Sequence, residues 1–567
     1  MKRPRAALPF TAVLLALCAL PAARAAAADD FSRFVDDFFA ARFAAHPSEG
    51  TEAGLHQYDD KLEDLSRASV LARIAELKRL LARLDAFDRS TLGFDDAIDA
   101  QELEGEIKSD LLTLDTLRTW EHNPMFYVRV PGGGVDVLIK RNFGPAHDRL
   151  RSVVARLKQA PAAYAAARAN VKNPPKEFTD LAIRMCKGSV GYFEGSVAQW
   201  AKEAAGSDTA LLAEFTTANA ATVKETRALA DWLEKDLKPR STGSYAIGEA
   251  NFLAKLKYDD MVDMPLPDLL AKGQAQLDKD YAAFLETAKK IDPAKTPAEV
   301  MKSLSDEHPA ADDLIPSAKR TVEEARAFLI AKDIVTIPSE VRPIITETPP
   351  FARGGSFASM DTPGPYENKA NEAFYYITPV EKDWDAKHQD EHLRLYNPYV
   401  MAMINVHEVW PGHYLQFLYA PRFPTKTRKL TFSGTNAEGW AHYTEQMMVD
   451  QGFGNGNPKI RLAQLQEALL RDCRYVVGIS LHTKGWTVEQ GAKLFVEKGF
   501  QEPANGYEEA RRGAYNPTYL YYTLGKLEIQ KLAADYMARG KSLREFHDAF
   551  VSQGAPPIPL VRKILMR

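Results

Sequence analysis

Helical periodicity runs through most of this chain and leaves little room for a sheet. Phe31, Phe34, Phe38 and Phe39 recur at helical spacing. Ala72–Phe87, Asp99–Leu117, His147–Val171, Phe178–Ala201, Ala210–Leu237 and Leu266–Lys290 each read as an amphipathic helix. Strand-like stretches are few. Met125–Val130 and Val135–Ile139 flank Pro131-Gly132-Gly133-Gly134 and read as a hairpin, with a flexible glycine loop as the competing reading. Ile334–Ile337 and Ala373–Thr378 are further candidate strands. The expected fold is mainly α with a small β element. The 567 residues are 45% hydrophobic and 26% charged, which excludes a disordered chain and an integral membrane protein. A net charge of −4 excludes a basic nucleic-acid footprint, so no nucleic-acid partner is expected.

The N-terminus reads as an export signal rather than as part of the fold. Lys2, Arg3 and Arg5 precede an apolar run from Ala6 to Ala22, and Ala23-Arg24-Ala25 forms an A-x-A-like cleavage site. A membrane anchor is the competing reading, against which the short apolar run argues. Leu17 before Cys18 argues against a lipoprotein signal. Residues 1–25 are therefore expected to be a signal peptide. Residues 26–567 are expected to form one large helical domain, periplasmic or secreted, with no later membrane span. Its N-terminal helical half is 26–337 and its catalytic half 338–567. The Pro- and Gly-rich stretch Pro338–Pro365 divides them and reads as a loop rather than a linker. Cys186 and Cys473 allow either one disulfide or two buried thiols.

Of twelve histidines, seven fall between His388 and His547. Two belong to His407-Glu408-Val409-Trp410-Pro411-Gly412-His413. In an H-E-x-x-H helix, four-residue spacing puts both imidazoles on one face, and the Glu activates the attacking water. Here the spacing is six, which on a straight helix leaves the side chains roughly 120° apart. Pro411-Gly412 lies inside the gap, where a break restores convergence. The alternative is a helix that kinks between two unrelated histidines.

Glu438 follows His413 by 25 residues and opens a second helical pattern, as the third ligand of a His₂Glu site would. Its alternative is an ordinary first-turn glutamate. His442 and Glu445 share its helical face and are candidates to steady a ligating imidazole. His388 and His392 form a rival pair at four-residue spacing. Gln389 stands where the activating Glu would be, and the surroundings are densely charged, so a solvated helix face is the better reading.

H-E-V-W-P-G-H followed by A-E-G-W-A-H-Y resembles the bacterial family called domain of unknown function 885, over most of the mature chain. The family's architecture is similar to the helical gluzincin metallopeptidases of the thimet oligopeptidase and carboxypeptidase Taq type. That resemblance implies a deep cleft and one Zn²⁺ per chain held by His407, His413 and Glu438, with Glu408 as general base. It also matches His482 to a family histidine, although Gly478 and Ser480 depart from the pattern around it. Arg512 and Pro517 match an Arg-x₄-Pro pattern, and Tyr522 precedes Gly525-Lys526 as a family tyrosine does, with Tyr521 as competitor.

The chemistry expected is hydrolysis of peptide bonds in short peptides. Tyr522, a neighbouring tyrosine or His482 would supply the oxyanion donor, and Arg512 would hold a substrate carboxylate. For each tyrosine the competing role is core packing, and for Arg512 a surface charge. Ala373–Thr378 is expected as an edge strand pairing with substrate, and Gly354-Gly355-Ser356 as a loop approaching it. The alternatives are a zinc hydrolase of non-peptide amides or esters, and an inactive periplasmic binding or scaffold protein.

Overall fold

The computed structural model describes residues 11–349, 353, 357–381 and 384–567, with side chains from residue 28 onward. The signal-peptide reading falls on residues outside that description and on the backbone of the first helix, and Gly354-Gly355-Ser356 also lies outside it. Among the described residues, no helix is long and apolar enough to cross a membrane.

The fold is mainly α. Only the helices needed below are labelled: α1 (Thr11–Ala45), α2 (Arg67–Asp85), α3 (Phe94–Leu111), α4 (Met125–Ile139), α5 (Ala146–Asn170), α6 (Glu249–Asp260), α7 (Leu266–Ile291) and α8 (Leu314–Lys332). The phenylalanines of α1 are buried against Leu77, Leu80 and Leu84 of α2 and Leu103 and Ile107 of α3. Their spacing is thus a core stripe. The expected helices are present, several ending in a wider π-type turn, as at Leu112–Thr116, Phe193–Val197 and Leu233–Leu237.

The expected hairpin is instead the continuous helix α4, with Pro131 inside it. Glycine and proline are poor helix formers, at about 1 and 3 kcal/mol against Ala. Packing overrides that preference here. Met125, Val128, Pro131, Val135 and Leu138 form one buried stripe at helical spacing. Gly134 lets α4 approach Leu62 closely, and its carbonyl accepts from Arg156 of α5.

Pro338–Pro365 carries two strands and so is neither a bare loop nor a bare linker. β1 (Ile344–Glu347), β2 (Ala358–Asp361) and β3 (Phe374–Ile377) form a sheet in the order β1-β3-β2. The first pair is parallel and the second antiparallel. Ala373–Thr378 is thus the central strand and not an edge, and both its backbone faces are already paired. Ile334–Ile337 is irregular backbone held by side chains. The Thr336 amide donates to Asp548 at 2.7 Å, and the Ile334 carbonyl accepts from His547 at 2.9 Å.

Polar contacts join the N-terminal elements to the rest. Asp260, at the end of α6, accepts from the Ser433 hydroxyl at 2.6 Å and the Thr435 amide at 2.9 Å. Arg428 reaches Asp95 at 2.7 Å and Asp99 at 3.3 Å, and the Thr431 hydroxyl donates to Glu102 at 2.5 Å. Cys186 and Cys473 are both free and lie in separate buried clusters, so the disulfide reading is not met.

Burial pushes the Glu102 carboxyl up to about 8, with Thr431 pulling the other way and Asp99 adding to the rise. A carboxyl raised in the folded state binds its proton more tightly there than in the unfolded chain. Its contribution is complete below its ordinary pKa and is lost as pH rises toward 8. The melting temperature is therefore expected to fall between pH 5 and 8, and Glu102→Gln should flatten that decline. Parallel thermal melts of both proteins across the pH range check this.

Candidate metal centre

The site is assembled by the remaining helices α9 (Ala386–Arg394), α10 (Pro398–Glu408), α11 (His413–Leu418), α12 (Gly434–Asp450), α13 (Pro458–Thr483), α14 (Pro503–Tyr515) and α15 (Tyr521–Met537). The Asn397 side chain caps α10 by accepting from the Val400 amide at 3.1 Å, and Pro398 follows it at the first helical position. The helix stops at Glu408. The chain then turns through Trp410-Pro411, whose peptide bond is cis, and restarts as α11 at His413.

Gly412 makes this turn possible. Its amide donates to the Val406 carbonyl at 3.0 Å, and a Cβ there would lie 1.7 Å from the His407 carbonyl oxygen. Trp440 locks the turn from the opposite helix by donating to the Pro411 carbonyl at 2.9 Å. The six-residue spacing is therefore resolved by a break. The two imidazoles stand edge to face with ring centres 4.9 Å apart.

Glu438 joins them from α12. Its Oε2 lies 3.5 Å from His407 Nε2 and 3.3 Å from His413 Nε2. One ligand atom from each residue lies within 4.8 Å of the other two. Tetrahedral zinc with bonds of about 2.0–2.1 Å separates its ligands by about 3.3–3.5 Å, which is the spacing of the two Glu438 contacts. Neither contact has hydrogen-bond geometry, and Glu438 Oε2 is a buried acceptor left unsatisfied. Three lone-pair donors facing one another without a shared hydrogen bond fit a cation between them.

The support of His407 is buried. Its Nδ1 meets Glu445 Oε1 at 2.7 Å. The same carboxylate takes His442 Nδ1 at 3.3 Å and Arg471 at 3.2 Å, and both Glu445 and His442 are fully buried. Burial opposes a charge on Glu445, but Arg471, His442 and His407 hold its carboxyl well below the usual range. Burial and the neighbouring Lys526 push His442 down to about 3, so it stays neutral. Burial pushes His407 down too, but its contacts with Glu438 and Glu445 win and carry it up to about 9.

Glu408 is half-buried and makes no hydrogen bond or ion pair among the described residues. It is an unpaired carboxylate next in sequence to a ligand. The sheet steadies this helix from behind, where Tyr375 of β3 donates to Asn405 at 2.7 Å.

Tyr522 is brought in by a close helix crossing. α12 and α15 touch at Gly439 and Gly525, where a Cβ on Gly525 would lie 1.9 Å from the Thr435 carbonyl oxygen. Gly439 follows Glu438, and Gly525 lies one turn after Tyr522, so the crossing sets the phenol beside the ligands. The Tyr522 ring centre is 6.4 Å from that of His407. Burial raises its pKa well above the usual value, and the Glu438 charge adds to this against Arg474 and Arg512, so the phenol keeps its proton. Tyr521 stacks on Tyr522 with ring centres 4.8 Å apart, but its hydroxyl accepts from Asn516 at 2.8 Å. It lines an acidic pocket with Glu106, Asp259 and Asp260.

Two expectations change. His482 is buried away from the ligands, its Nε2 donating to the Gly513 carbonyl at 2.8 Å, with Phe252 and Tyr245 against its ring. It braces the residue after Arg512 and touches none of His407, His413 and Glu438. The unexpected Gly478 nearby makes room for Tyr519, whose Cβ would lie 3.3 Å from a Cβ at that position. The rival pair does not converge either. His388 is exposed and stacks on Trp384 at 4.0 Å, while His392 is buried, not solvated, and contacts the Thr378 carbonyl at 2.8 Å. Sequence reading missed Arg471, whose guanidinium is buried beside Glu445. The sequence singles it out poorly, because Gln464, Glu467 and Arg474 share its helix face.

Gly412→Ala should separate the two imidazoles, because the new Cβ cannot coexist with the His407 carbonyl. If the three residues take up zinc, the amount bound per folded chain should drop at least tenfold in this variant. Metal analysis with a parallel circular dichroism spectrum checks it, and retained zinc would show that another arrangement serves.

Two solved structures that match this chain cover nearly its whole length. A Shewanella oneidensis protein described as a lipoprotein of unknown function is 28% identical with a TM-score of 0.79, over 95% of this chain and 100% of that one. A Colwellia psychrerythraea protein, also described as a lipoprotein, matches the fold at 18% identity and a TM-score of 0.79, over 95% and 99% of the two chains. No curated protein sequence matches. The family model described as bacterial protein of unknown function (DUF885) matches residues 47–565, and the chain belongs to that family.

Proposed function

We propose that this protein is an exported zinc-dependent hydrolase that cleaves amide bonds of short peptides. The observation that carries the reading is the convergence of His407 Nε2, His413 Nε2 and Glu438 Oε2 beside an unpaired Glu408. Two imidazoles and a carboxylate suit zinc, and a site with three protein ligands keeps a position open for chemistry. A purely structural site needs no adjacent free carboxylate. This donor set and its downstream Glu are similar to those of gluzincin peptidases, in line with the resemblance in the sequence. Export is supported by the N-terminal signal pattern and by the description of both structural relatives as lipoproteins.

Zinc held there would polarise the scissile carbonyl and acidify the attacking water. Glu408 takes the proton from that water and passes it to the leaving amine. Tyr522, protonated and facing His407, donates a hydrogen bond to the oxygen on which negative charge develops. Glu445 fixes the His407 ring through Nδ1, so that Nε2 faces the cation. His442 and Arg471 in turn hold Glu445.

Two substitutions separate these roles. Glu408→Gln should keep about one zinc per chain, as a three-ligand site holds, while turnover of a peptide library falls 10²–10⁴-fold, roughly the worth of a general base. Unchanged turnover would overturn the mechanism. Tyr522→Phe should also keep the metal and lower kcat about 10²-fold, the usual loss for an oxyanion donor, with a small change in KM. Metal analysis and steady-state kinetics check both.

A further inference from the structure

Three arginines surround Tyr522, and two of them are spoken for. Arg471 pairs with Glu445 and with Glu467. Arg474 makes a two-pronged contact with Glu509 at 2.7 and 2.9 Å. Arg512, in the last turn of α14, has no ion pair among the described residues. Its one polar contact is a long hydrogen bond, 3.4 Å, to the Tyr522 hydroxyl. The guanidinium lies over the Tyr519 ring, 5.2 Å from its centre.

That isolation is unusual for its surroundings. Arg512 is only half-exposed, and a partly desolvated cation is costly without a counter-charge. Glu509 acts on it only through space, because both oxygens of that carboxylate are bonded to Arg474. The side chain is nevertheless held in place. Tyr519 supports its flat face, and His482 ties down the Gly513 carbonyl beside it. An oriented guanidinium fork with free nitrogens presents two parallel donors, which match a carboxylate.

Its position relates it to the metal centre. Tyr522 touches Arg512 with its hydroxyl and faces His407 with its ring. The guanidinium therefore stands about one phenol away from the ligands. An extended peptide advances about 3.5 Å per residue, so one to three residues cover the gap.

We propose that Arg512 is an anion subsite, which takes a carboxylate of the substrate one to three residues from the bond cleaved. The proposal rests on the hydrolase reading given above. Two sources supply that chemistry: the free C-terminus of a short peptide, or an Asp or Glu side chain.

The test uses zinc-loaded Glu408→Gln protein and calorimetric binding of three peptides. These are Ala-Ala-Ala, its C-terminal amide, and Ala-Ala-Asp amide. The free acid should bind at least tenfold more tightly than the alanine amide. Arg512→Met should abolish that preference while leaving the affinity of the alanine amide within about twofold. Arg512→Lys, which keeps the charge but not the fork, should retain part of it and guards against a folding defect. If Ala-Ala-Asp amide also regains affinity, the side-chain source is accepted. If it does not, the terminus alone is read.

Equal binding of acid and amide overturns the proposal, as does failure of all three to bind at millimolar concentration. If the wild type meanwhile hydrolyses peptides in a zinc-dependent way, the hydrolase reading survives that failure. If instead the Arg512-dependent preference is present but no peptide is cleaved, the subsite stands and the hydrolase reading falls.

Discussion

The buried carboxylate of Glu445 is the contact on which the candidate site depends. It accepts from His407, His442 and Arg471 at once, in a position with no access to water. Moving an unpaired carboxylate to such a place costs several kcal/mol. The three partners offset that cost, and each is thereby fixed in orientation. A neutral His442 contributes a donor without adding charge, and Arg471 supplies the charge balance. The His407 ring is consequently oriented by its far nitrogen, before any ligand reaches Nε2. Removing Glu445 would release the imidazole and leave Arg471 with Glu467 as its remaining carboxylate partner.

Much of this was legible in the sequence, because chain breaks and ligands share the same few residues. His407, Glu408 and His413 were readable once Pro411-Gly412 was recognised as the remedy for an unfavourable spacing. Glu438, His442 and Glu445 followed from one helical face. The hairpin reading failed because a local propensity was weighed without the packing that overrules it. Three glycines look like a turn, but all three are helical in α4, and Gly134 lets that helix lie close against Leu62. The strand at Phe374–Ile377 was found, yet its place in the sheet was not, since strand order depends on two segments inside a Pro-rich stretch.

Other features had no signal along the chain. His482 sits in a segment that matches a family motif, but whether a histidine faces a metal or a backbone carbonyl is decided by the partner helix. The isolation of Arg512 is likewise a statement about Glu509 and Arg474. Only their pairing, formed between α13 and α14, shows that the third arginine has been left without an ion pair among the described residues.

The glycine crossing of α12 and α15 has a mechanical consequence. Glu438 and Tyr522 each sit within one turn of a backbone-to-backbone contact that contains no side chain. The distance between the ligand and the phenol is thus not adjustable by rotamer changes at the crossing, because there are none to change. Neighbouring core residues can vary in size and alter stability, while the helix spacing between Glu438 and Tyr522 stays under the control of two residues that have no side chain to vary.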